Sequence, residues 1–121
     1  MSFKSEDIKN IKAIMIIEVL GKPAEYLTET LNSLIEKIEN EKGIRVTDKK
    51  INLPMELEEK KDFYTNFAEI EIEAENILHL SRIMFNYMPS HVEILSPEKL
   101  TISNNNWSEV LSELMRRLHA Y

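Results

Sequence analysis

The sequence predicts an α+β fold in which helices cover a sheet, and three stretches predict it. Residues 11–20, "IKAIMIIEVL", are β-branched and apolar on both alternating faces, as in a strand at the centre of a sheet. From Ala24 to Lys42, Leu27, Leu31, Leu34, Ile35 and Ile38 recur at helical spacing on one stripe. In "NFAEIEIEAEN", Ala68, Ile70, Ile72 and Ala74 alternate with Glu69, Glu71, Glu73 and Glu75, the period of a strand with one buried face.

Each element follows from local chemistry. "GKP" breaks the first strand: Gly21 permits a tight turn, and Pro23 suits the first turn of a helix, where its missing N–H has no partner to lose. Gly43 is expected to stop the first helix in a left-handed conformation. "IRVTDKKINL" reads as a second strand ended by Pro54, and "MELEEKKDF" as a charged, solvated connector. "FYTNFAEIEIEA" is the third strand. "NILHLSRIMFNYM" returns to helical spacing, with Ile77, Leu80, Met84 and Met88 on one face and Pro89 as its stop. "SHVEIL" is a short fourth strand with Val92 and Ile94 inward. "KLTI" offers a short edge strand after Pro97. Asn106 is expected to cap a last helix, within residues 104–121, with Glu109 completing a capping box. Trp107, Val110, Leu111, Leu114 and Leu118 form its apolar stripe. The β-α-β-β-α-β string is the ferredoxin-like pattern, here with an additional C-terminal helix. Right-handed crossovers would put strands one and three in the centre and both helices on one face.

Totals narrow the function. The 121 residues fit a single domain, 1–121, with a flexible start over 1–10. A net charge of −6 argues against a broad basic surface for nucleic acid. With zero cysteines there is no disulfide, thiolate metal site or thiol nucleophile, in keeping with a reducing cytoplasm. No run approaches the ~20 apolar residues of a membrane span. The start, "MSFKSEDIKN", lacks the apolar core of a secretory signal.

The glutamate row is the feature nearest to function. With the alanines and isoleucines turned to the helices, Glu69, Glu71 and Glu73 face the open side and keep it wet. The first strand is apolar on that side too, so an amphipathic cover is expected: the final helix, or a partner's copy of it. Trp107 and Leu111 would cover Ile14 and Ile16, while Arg116 or Arg117 approaches Glu69 or Glu71. Alternate carboxylates are also a weak cation pattern, but no Asp-rich loop or histidine pair supports a metal. His79, His91 and His119 are scattered, and their default role is structural. Phe63 and Phe67 share the acidic face, where phosphate would be repelled, so base stacking is disfavoured. No motif names a catalytic residue, a metal or a cofactor.

"IEVLGKPAEYL", "YMPSHVEILSPE" and "NNNWSEVLSELMRRLHAY" resemble small archaeal proteins of uncharacterised function, over nearly the whole chain. In topology the chain is also similar to ACT-type regulatory domains. That resemblance implies a small effector near the Gly21–Pro23 turn, between the first strand and helix, and association through sheets. The leading expectation is a non-enzymatic binding or assembly module in the cytoplasm, as a homo-oligomer or with a protein partner. The alternative is an ACT-like small-molecule sensor, and an enzyme of unnamed reaction ranks third. The candidate binding residues are Gly21, Lys22, Glu69, Glu71, Trp107, Arg116 and Arg117.

Overall fold

The computed structural model describes residues 10–121; the expected flexible start therefore lies, but for Asn10, outside the described residues. The both-faces-apolar run forms β1 (Ile11–Gly21), and the leucine stripe forms α1 (Ala24–Glu39). Then come β2 (Ile44–Ile51), a short β3 (Met55–Glu56), β4 (Tyr64–Ala74) and α2 (Ile77–Tyr87). The chain continues through β5 (His91–Ser96) to α3 (Asn104–Ala120). The strands form one five-stranded sheet in the order β2-β4-β1-β5, with β3 paired to β4 and every pairing antiparallel.

The two long strands hold the centre and pair from Ile11↔Ala74 to Gly21↔Tyr64. Their alternation decides what is buried. Ala13, Met15 and Ile17 of β1 and Ala68, Ile70, Ile72 and Ala74 of β4 lie on one face and are buried. Leu31, Ile35 and Ile38 of α1 and Leu80 and Ile83 of α2 close over them, so both helices share that face. Each fully buried aliphatic side chain contributes about 1.5–3 kcal/mol of transfer free energy. Asn66 is also buried; its side chain accepts from Phe67 N at 2.8 Å and donates to Thr28 Oγ1 at 3.4 Å.

Several local expectations change. α1 ends at Glu39, three residues before Lys42, and the chain turns through Asn40 to Gly43, whose φ is +77°. Leu34 is only half-buried. The connector after Pro54 is not all loop, because Met55 and Glu56 add a ladder to β4 opposite Thr65 and Tyr64. "KLTI" forms no strand; Leu100 instead packs against the helix-side core. Met88 is the left-handed C-cap of α2 and is 73% exposed rather than inward. Ile94 lies on the inward side of β5 but remains 42% exposed, because β5 is an edge strand. Ser103, not Asn106, caps α3, its hydroxyl accepting from Asn106 N at 3.1 Å.

The largest correction concerns α3. It packs on α2, with Val110 as its buried residue, and not over Ile14 and Ile16. The reason lies in how the chain reaches it. β5 is the last strand, and Leu100 ties the following connector to the core on the helix side, so α3 is delivered to that side of the sheet.

Candidate functional site

On the open face, the strand register sets the side chains in rows. Glu73 stands between Lys12 of β1 and Arg45 of β2, Glu71 between Ile14 and Asp48, and Glu69 between Ile16 and Lys50. The Arg45 guanidinium donates to Glu73 at 2.5 Å, and Lys12 Nζ lies 3.9 Å from the same carboxylate. The hydrogen bond from Arg45 holds the Glu73 carboxyl below its ordinary value, against a smaller opposing effect of desolvation. Between Val46 and Asp48 the register shifts, and Thr47 Oγ1 donates to Glu71 Oε2 at 3.1 Å. Like charges directly along a strand repel. Here β2 gives Glu73 a guanidinium and Glu71 a hydroxyl, while it sets Lys50 opposite Glu69 and leaves Asp48 opposite Glu71.

The glutamates are thus complemented from β2 and not from the final helix. Arg116 donates to Glu113 at 2.6 Å, and Arg117 to the same carboxylate at 3.2 Å. The hydrogen bond from Arg116 is the main reason that the Glu113 carboxyl sits below its ordinary value. Arg117 also stands 6.0 Å from the centre of the Phe85 ring. Neither arginine pairs with Glu69 or Glu71. Sequence reasoning missed Arg45, Thr47 and Lys50. Arg45 and Thr47 alternate with Ile44 and Val46 in the sequence, but the bulge that puts Lys50 rather than Lys49 opposite Glu69 has no sequence signature.

What remains on the open face is an apolar centre with an acidic surround. Ile14 and Ile16 are half-buried, and Phe67 is 37% exposed. Leu20 continues the row at 61% exposure. From β5, Glu93 stands beside Ile14 and His91 beside Ile16, and Glu18 accepts from Thr65 Oγ1 at 3.1 Å.

The other candidates lie elsewhere. Gly21 ends β1, and Lys22, Pro23, Ala24, Glu25, Asp62 and Tyr64 line an open groove of about 530 Å³ beside it. Trp107 stands half-exposed on α3. The seven predicted residues therefore fall in three separate places. Among the described residues, no group of three or more His, Asp or Glu is placed to hold a metal ion. No helix among them is long and apolar enough to cross a membrane.

These features define an α+β domain with helices on one face of an antiparallel sheet and an acidic, apolar-centred face that no element of the described residues covers. The chain belongs to the MJ0538 family, whose sequence model matches residues 12–121. It is similar to Uncharacterized protein MJ0538 of the archaeon Methanocaldococcus jannaschii, at 26% identity over 102 residues. The match covers 84% of this chain and 38% of that protein, so the chain spans well under half of this relative's length. The resemblance to archaeal proteins holds at this level.

Proposed function

We propose that this is a non-enzymatic docking module of ferredoxin-like architecture, working in the cytoplasm, whose open sheet face receives a basic amphipathic segment of a protein partner. One observation carries the reading: Ile14, Ile16 and Phe67 form an apolar centre among acids on a face that no element of the described residues covers. Glu18, Asp48, Glu69, Glu71, Glu73 and Glu93 outnumber Lys12, Arg45 and Lys50 there. Apolar burial would supply most of the affinity, and the acids would select a cationic partner and set its register. The strand order supports the architecture if β3 is taken as a short insertion in the connection from β2 to β4.

The test uses a labelled helical peptide of leucines and lysines, with a glutamate-for-lysine counterpart as control. Anisotropy should show binding of the basic peptide alone, weakened by salt, and amide shifts should cluster at Ile14, Ile16, Phe67 and Glu69. Ile16→Lys should abolish it. Equal binding of both peptides, or shifts confined to another surface, would sink the reading.

A second reading has its own observation. The groove beside Gly21 carries Lys22 together with Glu25 and Asp62, a set of both charge signs that suits a zwitterion such as an amino acid. This is the ACT-like sensor. A thermal-shift screen of amino acids on the protein and on Lys22→Met decides it: no shift with any of them removes this alternative.

A further inference from the structure

α3 turns its narrower apolar side inward. Val110 is its one buried residue, whereas Trp107, Leu111, Leu114 and Leu118 are 47%, 53%, 36% and 58% exposed. A surface helix ordinarily does the reverse. The spacing of the four is four, three, four, which keeps them on one helical stripe of the kind that packs against another helix. A strand or an extended peptide would present a period of two and would not match it.

We propose that α3 is a self-association element: this stripe pairs antiparallel with the same stripe of a second copy. Three comparisons select that occupant. Docking α3 on the open sheet of another copy would be head-to-tail, because α2, on which α3 packs, covers the opposite face from Ile14 and Ile16. Such contacts do not close on a two-fold and give rings or open chains instead of a dimer. Packing two open sheets together would set one acidic surround against another. The α3 stripe carries no such conflict. At 100° per residue its solvent-side neighbours are Ser108, Met115 and His119, while Glu113 is turned toward Arg116 and Arg117.

Charge also decides direction. A parallel pair would bring each His119 beside its own copy. An antiparallel pair sets it level with the uncharged Asn106, and opposes the two helix dipoles favourably. Trp107 then meets Leu118 of the second copy, and Leu111 meets its Leu114. The stripe runs only ~17 Å at ~1.5 Å per residue. That places the contact below the ~1,200 Å² of a standard interface, and so makes a concentration-dependent dimer rather than an obligate one. This inference is independent of the sheet-face reading.

Analytical ultracentrifugation of the full chain, from low to high micromolar, tests it. The mass should rise from 14.2 kDa toward twice that value. Leu111→Glu and Leu118→Glu should each weaken association by roughly tenfold or more, and Ile16→Glu on the sheet should not. Should Leu111→Glu disturb the fold by circular dichroism, Leu118→Glu near the helix end decides alone. Because the chain has no cysteine, Trp107→Cys and Leu118→Cys report direction. Mixed together they should cross-link faster than either does with itself. A monomer at every concentration, a dimer indifferent to both leucine variants or broken by Ile16→Glu, or faster self-linking of the cysteine variants would each overturn the proposal.

Discussion

Arg45 and Glu73 meet at 2.5 Å across β2 and β4, and Lys12 approaches the same carboxylate at 3.9 Å from β1. This three-strand contact anchors one end of the glutamate row. It shows why like charges are tolerated there: the edge strand is the counter-charge.

A depressed carboxyl follows for Glu73. Its folded pKa lies below the ordinary 4.5, so its contribution to stability is present above that value and is lost as pH falls through the folded one. Carbon-detected NMR should find Glu73 titrating below the ordinary carboxylate range, and Arg45→Met should move it back up. A titration indifferent to Arg45→Met would mean that the contact does not persist in solution.

Gly43 is irreplaceable for two reasons. Its φ is +77°, and a Cβ there would lie 2.6 Å from the His79 ring. Gly43→Ala should cost on the order of 1–3 kcal/mol in urea denaturation. Adding His79→Ala should recover part of the loss, because the clash goes and the backbone strain stays. No loss in the single variant would refute this packing of histidine on glycine.

Within α1, neighbours should differ. Ile35 is 1% exposed and sits in the core, whereas Leu34 is half-buried at its edge. Ile35→Ala should cost about 2–5 kcal/mol, and Leu34→Ala clearly less. Equal costs by chemical denaturation would contradict the observed face of the helix.

Tyr87 titrates late. Burial, and then its 2.7 Å hydrogen bond to Glu41, push the phenol from 10.0 up to about 12. A raised folded pKa means that its contribution is complete below the unfolded value of 10.0 and declines as pH rises from there toward about 12. Alkaline difference absorbance should contain a late phenolate component that Tyr87→Phe removes. If that component survives the substitution, another group is responsible.

Much of this architecture was legible in the residues. The alternation in 68–74 and the doubly apolar run in 11–20 put β4 and β1 in the sheet, because a period of two has one way to bury Ala68, Ile70 and Ile72. The leucine stripe placed α1, and Gly43 marked the turn after it. Such local signals depend on neighbours within a few residues, and they survive folding unchanged.

Tertiary structure alone decided which surfaces meet. Whether Glu71 faces Asp48 and Glu69 faces Lys50 depends on a bulge in β2, an extra residue that the local pattern does not announce. The arginines at 116 and 117 were equally able, by charge, to reach Glu69, Glu71 or Glu113. Glu113 takes them because it lies one turn away on the same helix, whereas α3 is carried to the far side of the sheet by the Leu100 connector. Charge and hydrophobicity say that a surface needs a partner. Only the path of the chain in three dimensions says which partner is within reach.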